Sequence, residues 1–197
     1  MGITSKQLAD MQQRLTNGTE KSSALKNYKG SQIILGVDPS LRGTGYGVIN
    51  TSKSIPTTLA QGTIKCPSSW SMSRCFLEIS NQLEAVIGET SPTVAAIEGI
   101  FFAQNIKTAL IMGQARGAAL TAITKAGLDS FEIAPRKVKQ AIVGFGGAQK
   151  EAVAKMVQTR LSLTTTPSPD AADALAIALA FSQSLGSLIP DQAIKPL

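Results

Sequence analysis

Apolar runs separated by turn residues open the regular part of the chain. The first run begins at Ile33 and continues almost unbroken to Asp38, and a second β-prone run at residues 46–49 follows a turn that contains Pro39 and glycines. Residues 58–65 provide a third short strand. Three consecutive strands joined by short turns predict an antiparallel meander.

Helical periodicity begins after the meander. Apolar residues recur at helical spacing over residues 71–88, and residues 93–97 then repeat the pattern of an apolar strand that ends in an acid, Glu98. The remaining regular segments are a strand at residues 130–134 and helices at residues 105–126, 135–143, 149–161 and 170–184. This order predicts an α/β fold in which a five-stranded mixed sheet, an antiparallel meander plus parallel strands, is flanked by helices.

Four acids stand out by their positions. Asp38 and Glu98 each end a predicted buried strand, and Asp170 and Asp173 lie three residues apart in the first turn of an otherwise apolar helix. Turn capping explains Asp38 equally well when that acid is considered alone, and helix capping explains one of the two helix acids. If the two strands are parallel neighbours, however, both strand acids emerge at one sheet edge, where the helix start completes a cluster.

A cluster of four carboxylates requires positive charge, because the acids repel one another and raise each other's pKa values. Oxygen ligands favour magnesium or manganese. Two such ions about 4 Å apart can activate a water and stabilise the leaving oxygen in phosphodiester hydrolysis. The acids therefore predict a two-metal hydrolytic site, with a chance arrangement as the alternative.

The composition of the chain excludes several kinds of active site. There is no histidine among the 197 residues, which excludes Ser-His-Asp and Cys-His nucleophile systems as well as histidine-containing zinc sites. Cys66 and Cys75 are predicted to be free thiols in a reducing compartment. Because the chain has no apolar stretch of membrane-spanning length and no secretory leader pattern, we expect a cytoplasmic protein.

Positive charge is concentrated in one part of the sequence. The net charge of +6 indicates an anionic partner only weakly by itself. Between Arg136 and Arg160, however, six basic residues stand against one acid. This stretch predicts a basic face that binds nucleic acid.

Five sequence blocks occur in a fixed order: ILGVDPSLRGTGYGVI, AIEGIFFAQN, GQARGAAL, APRKVKQAIVGFGGAQK and DAADALAIALA. Together, over residues 33–184, they strongly resemble the bacterial Holliday junction resolvase family RuvC, the crossover junction endodeoxyribonucleases. The resemblance implies a ribonuclease H-like fold, a homodimer, and magnesium- or manganese-dependent paired nicking of four-way DNA junctions in recombination and repair. It also implies that the catalytic metal ligands are Asp38, Glu98, Asp170 and Asp173.

Further DNA contacts and catalytic residues are implied by the same resemblance. Phe101 corresponds to the family's aromatic residue that stacks on a junction base, and Phe102 beside it is the alternative. Lys139 and Lys150 match family lysines near the scissile phosphate, where a cation offsets charge that develops in the transition state. For the phenylalanines the alternative role is core packing, and for the lysines it is an ordinary phosphate contact or a solvated face.

Two arginines and one helix complete the predicted interaction sites. Arg42 and Arg136 are predicted phosphate contacts. The helix at residues 105–126 is rich in small residues and is similar to the helix that forms the family's dimer interface. Tight packing on the sheet is the alternative for that helix.

The resemblance also divides the chain. Residues 33–185 form the predicted RuvC-like nuclease domain, preceded by an N-terminal extension at residues 1–32, a short helix plus a flexible tether, and followed by a short C-terminal tail at residues 186–197. The family usually begins almost directly with the first strand, so a role with the RuvA and RuvB branch-migration machinery stays open. Three other functions also stay open: a related nuclease for another branched nucleic acid, a junction-binding protein without cleavage, and an ATP-binding phosphotransferase.

Overall fold

The computed structural model describes residue 28 and residues 30–99, 106–185 and 194–197. The predicted N-terminal helix and the aromatic candidates Phe101 and Phe102 lie outside these residues. The strands are β1 (Ile33–Asp38), β2 (Gly43–Asn50), β3 (Thr57–Lys65), β4 (Val94–Glu98), β5 (Ser130–Ile133) and β6 (Ile194–Pro196). The helices are α1 (Met72–Thr90), α2 (Ile106–Lys125), α3 (Pro135–Val143), α4 (Lys150–Arg160) and α5 (Pro169–Leu185).

A six-stranded mixed sheet in the order β3-β2-β1-β4-β5-β6 forms the centre of the fold. Strands β1, β2 and β3 pair antiparallel, whereas β4 pairs parallel with both β1 and β5. This arrangement confirms the predicted α/β class, the antiparallel meander and the parallel pairing of the first and fourth strands.

The sheet has one strand more than the five predicted. The additional strand, β6, pairs antiparallel with β5 at the edge of the sheet. It is only three residues long and includes a proline, so its sequence shows none of the alternation from which a strand is predicted. We expected residues 186–197 to form a tail, but residues 194–196 belong to the sheet.

Helices cover both faces of the sheet, because successive strand side chains point to opposite faces. On one face, strand residues such as Ile34 and Phe131 pack with residues of α3, α4 and α5. On the other face, strand residues such as Leu35 and Ile97 pack with α1 and α2. Within the part of the chain that the structure describes, no helix is long and apolar enough to cross a membrane.

Helix α5 is buried almost all round, as its apolar sequence predicts. Glycines on β1 and β2 leave room for its backbone: a Cβ at Gly36 would collide with the carbonyl oxygen of Ala174, on the second turn of the helix. A Cβ at Gly45 would likewise collide with the carbonyl oxygen of Asp170. The sequence placed Gly45 in a turn, but it lies within β2, opposite Asp38. These close approaches bring the first turn of α5 to the end of β1.

Candidate active site

The two strand acids lie side by side at one edge of the sheet. The parallel register pairs Val37 with Ile97, so the next residue on each strand, Asp38 and Glu98, ends its strand at the same level. The two side chains are hydrogen-bonded, with the Glu98 carboxyl as donor and the Asp38 carboxylate as acceptor. The juxtaposition predicted from the strand order is therefore present.

The Asp38–Glu98 pair retains a proton at neutral pH. Burial is the main reason that the pKa of Glu98 rises to about 8, and the charge of Asp38 raises it further. Burial also raises the pKa of Asp38, followed by the negative charge of Asp173. Since the two carboxyls share a hydrogen bond, they titrate as a pair rather than as independent acids.

The two helix acids approach the same edge from the start of α5, and a lysine accompanies them. Lys150, the first residue of α4, donates a hydrogen bond from Nζ to Oδ2 of Asp173 at 2.6 Å. This bond is the main reason that the pKa of Lys150 is raised. The carboxylate of Asp170 lies over Gly43, where a Cβ would be 3.0 Å from its Oδ2. The structure thus brings Lys150 into contact with an acid of the predicted cluster.

The charges of both helix acids act on Asp38. The pKa of Asp38 is raised by Asp173 and, more weakly, by Asp170, and it is lowered by Lys150. As the side chains stand, no group of three or more acids, cysteines or histidines among the described residues is positioned to hold an ion. Asp173 is turned to the lysine and Asp38 to Glu98, so proton sharing and an ion pair balance the charges that a cation would otherwise balance.

Sequence reasoning missed a buried arginine that contacts the backbone at the end of β4, next to the site. Arg116 on α2 is only 8% exposed. Its Nη1 donates to the backbone carbonyl of Glu98, and its Nη2 donates to Oε2 of Glu132 on β5 at 2.7 Å. Arg116 therefore fixes the end of β4, from which the Glu98 carboxyl projects. The available signal was a single arginine among small residues in the GQARGAAL block.

Arg42, a predicted phosphate contact, is bonded to the protein itself. Its Nη1 donates to the carbonyl oxygens of Pro67 at 2.6 Å and Trp70 at 3.2 Å. The same nitrogen lies 3.2 Å from Sγ of Cys75, which is buried and free, as is Cys66. Arg42 therefore holds the segment that connects β3 to α1, and a phosphate contact by this residue stays a prediction.

The other two basic candidates lie on α3. Lys139 is half-buried, and Arg136 is exposed, with the aliphatic part of its side chain packed over Gly146. Helix α3 packs with α4 and α5 on the same face of the sheet. The structure thus places both residues on the helical layer that also supplies Lys150, and their contacts with DNA stay predictions.

A mixed sheet of this order, with acids at the ends of adjacent parallel strands and a helix start beside them, defines the class of ribonuclease H-like nucleases. The family model described as crossover junction endodeoxyribonuclease RuvC matches residues 34–181. The chain belongs to the RuvC family.

Curated relatives are similar to most of the chain. RuvC of Heliobacterium modesticaldum is 43% identical over 154 residues, which cover 78% of this chain and 95% of that protein. RuvC of Bordetella parapertussis is 46% identical over 146 residues, covering 74% of this chain and 80% of that protein. The similarity therefore extends over four fifths or more of the length of each of these relatives.

Solved structures agree with this relationship. Thermus thermophilus RuvC in complex with a Holliday junction substrate superposes with a TM-score of 0.75 at 32% identity, covering 84% of this chain and 99% of that chain. The yeast mitochondrial Holliday junction resolvase Ydc2 superposes with a TM-score of 0.59 at 11% identity, covering 82% and 83% of the two chains. At that identity Ydc2 is evidence for the fold alone.

Proposed function

We propose that this protein is a metal-dependent endonuclease that resolves four-way DNA junctions by symmetric paired nicks. The observation that carries the proposal is the buried Asp38–Glu98 pair at the ends of adjacent parallel strands, with Asp173 and Lys150 beside it. Membership of the RuvC family and the likeness to a RuvC bound to a junction support the substrate. This reaction belongs to DNA recombination and repair, and we place it in the cytoplasm, as the sequence predicts.

The donor set fits a hard divalent cation. All four candidate ligands, Asp38, Glu98, Asp170 and Asp173, offer oxygen, and the retained proton on the Asp38–Glu98 pair marks an excess of negative charge at a buried position. We propose magnesium as the cofactor, with manganese also supporting activity. When bound, such ions supply a water of lowered pKa and neutralise charge on the leaving oxygen.

The side chains around the cluster must change partners for this chemistry. To hold a divalent cation, the Glu98 carboxyl would lose its proton, and the Asp173 carboxylate would exchange the Lys150 ammonium for that cation. Lys150, released from Asp173, then has its charge available for the scissile phosphate, where it offsets charge in the transition state. Lys139 is proposed for the same task from the neighbouring helix.

Paired nicks on opposed strands require two active sites, so we propose a homodimer. Helix α2 presents a stripe for this contact: Ile106 is 80% exposed and Leu110 is 62% exposed. Gly113 and Gly117 continue the stripe, and a Cβ added at either would meet open space. Gly117→Gln should convert the dimer to a monomer in sedimentation and replace paired nicks by single nicks.

The DNA surface proposed for this dimer comprises basic residues of α3 and α4 and an aromatic contact. Arg136, Lys139 and Lys150 lie on α3 and α4 of one helical layer, and Arg42 is proposed as a further phosphate contact. Phe101, or Phe102 beside it, is proposed to stack on a junction base. A partnership with the RuvA–RuvB branch-migration complex is part of the proposal, and co-sedimentation with RuvA-bound junctions tests it.

Cleavage of a synthetic mobile four-way junction tests the proposed function. We expect symmetric nicks on two opposed strands with magnesium or manganese, and no cleavage with chelator. Asp38→Asn should abolish cleavage and leave junction binding largely intact, because Asp38 is not one of the residues proposed to bind the DNA. Preference for a nicked duplex over the junction would instead identify a nuclease for another branched substrate, and a fully active Asp38→Asn variant would refute the ligand assignment.

A further inference from the structure

One aromatic side chain in the described part of the chain is exposed. Phe145 is 68% exposed, whereas every other aromatic residue that the structure describes is buried or half-buried. Single exposed apolar residues are common on protein surfaces, so exposure alone assigns no role to this phenylalanine. The role is inferred from the turn that carries Phe145 and from the basic residues near that turn.

The turn that carries Phe145 is fixed at both ends. Gly144, at a φ of 86°, ends α3 and donates its N–H to the carbonyl of Gln140 at 2.9 Å. Ala148, only 8% exposed and packed in the core, donates its N–H to the Phe145 carbonyl at 3.2 Å. The ring itself lies against Gly147, where a Cβ would be 2.8 Å from ring atoms. The turn that carries Phe145 is therefore fixed and the ring contacts Gly147, which reduces the entropy lost when a ligand is bound.

Basic residues lie near the connection that carries this ring. Phe145 lies on the connection between α3 and α4, and Arg136 packs over Gly146 of the same connection. Five residues after Phe145, Lys150 contacts Asp173 of the proposed catalytic cluster. An aromatic ring among cations is the combination by which proteins hold single-stranded or unstacked nucleotides. A polyanion complements these charges, whereas a protein partner would need an apolar patch larger than one ring.

We propose that Phe145 is a stacking platform for a nucleobase of the bound DNA, outside the site predicted for Phe101 and Phe102. The inference rests on the proposed function, since it takes the substrate to be a DNA junction bound by the basic residues of α3 and α4. Near a strand exchange point, bases lose part of their stacking on neighbours, and the exposed face of Phe145 replaces it. Because every base has a π face, this contact positions the strand without reading its sequence.

Junction affinity of the full chain, measured by fluorescence anisotropy in EDTA, tests the inference. Phe145→Ala should weaken binding about tenfold, and Phe145→Trp should restore it, because stacking depends on an aromatic face. Phe145→Leu, which keeps apolar volume without that face, should bind nearly as weakly as the alanine variant. Leu77→Ala is the matched control, since Leu77 is 61% exposed on α1, across the sheet.

Salt dependence separates stacking from charge. The slope of affinity against salt should be unchanged in Phe145→Ala, because stacking releases no counterions, whereas Arg136→Ala, at a proposed phosphate contact, should lower it by about 1. Wild-type affinity in Phe145→Ala, or full rescue by Phe145→Leu, overturns the stacking role while leaving the proposed function intact. If the wild-type protein does not bind the junction at all, the proposed function fails and this inference fails with it.

Discussion

The end of strand β4 carries two charge arrangements that differ in how their charges are balanced. The Glu98 carboxyl lies against Asp38, an acid of the same sign. The backbone carbonyl of Glu98 accepts a hydrogen bond from Arg116, which also pairs with Glu132 at 2.7 Å. Glu98 therefore belongs to a pair of acids through its side chain, and through its backbone it contacts the oppositely charged pair Arg116–Glu132.

The two pairs therefore have different roles: the Arg116–Glu132 pair supports the structure, and the Asp38–Glu98 pair is proposed to take part in the chemistry. The Arg116–Glu132 ion pair satisfies itself within the protein, so it can stabilise the strand end without any ligand. The Asp38–Glu98 pair is satisfied only by a retained proton or by a cation. The fold thus places an acid pair whose charge a cation can balance at the position where a metal-dependent nuclease needs it.

The largest expected effect comes from removing the like-charge pair. Glu98→Gln should reduce junction cleavage about a thousandfold, because loss of this proposed metal ligand would remove several kcal/mol of transition-state stabilisation. The amide can still donate a hydrogen bond to Asp38, so folding stability at pH 8 should not fall. Gel-based single-turnover cleavage and thermal unfolding measure the two quantities.

Glu89→Gln is the control for this loss, because Glu89 is exposed near the end of α1. It should leave cleavage unchanged. If Glu98→Gln cleaves at the wild-type rate, the acid pair is not the chemical centre of the site.

Removing the opposite-charge pair should instead reduce stability. Arg116→Met leaves Glu132, which is 29% exposed, without its cation and should lower the free energy of unfolding by about 2–4 kcal/mol. The double variant with Glu132→Met should recover most of that loss, since no uncompensated charge then remains. Urea denaturation at constant pH measures both, and a change below about 1 kcal/mol would mean that the ion pair supports little.

Stability should depend on pH through the Asp38–Glu98 pair. The pKa of Glu98 rises from 4.5 to about 8 in the folded protein, so the folded state holds a proton that the unfolded state has released. In chelator, the free energy of unfolding should therefore be highest below pH 4.5 with respect to this group. It should fall by up to about 1.4 kcal/mol per pH unit towards pH 8.

Two variants and added magnesium test whether the Asp38–Glu98 pair causes this pH dependence of the free energy of unfolding. Glu98→Gln should remove this contribution, whereas Arg116→Met, which leaves the Asp38–Glu98 pair in place, should retain it. Magnesium should stabilise the protein increasingly as the pH rises, since its binding displaces the retained proton. A metal effect that is equal at pH 6 and pH 8 would contradict the shared proton.

The like-charge pair could be predicted from the sequence because it depends on rules of local pattern and topology. Apolar runs place Asp38 and Glu98 at strand ends, and the order of strands and helices makes those strands parallel neighbours. The helix acids followed from the apolar periodicity of the last helix. Each of these inferences needs only the sequence near the residue and the connection rules for sheets.

The supporting contacts could not be predicted, because they depend on how closely elements approach in three dimensions. Arg116 is buried because α2 packs at the end of β4, and nothing local distinguishes it from a surface arginine. Gly45 was expected to belong to a turn, but it and Gly36 leave room for the α5 backbone. Strand β6 forms by pairing with an edge that only the folded sheet provides.

The smallest expected effect comes from Lys150, which pairs with Asp173 beside the Asp38–Glu98 pair. This lysine is 66% exposed, so Lys150→Met should change the free energy of unfolding by less than about 1 kcal/mol. Lys125→Met is the matched control, because Lys125 is 67% exposed and pairs with Glu84 at 2.9 Å, away from the acids. The two variants should differ in pH dependence: the positive charge of Lys150 lowers the pKa of Glu98, so its removal should extend the stability loss to higher pH. Lys125→Met should leave that profile unchanged, and identical profiles for both variants would show that Lys150 does not act on the shared proton.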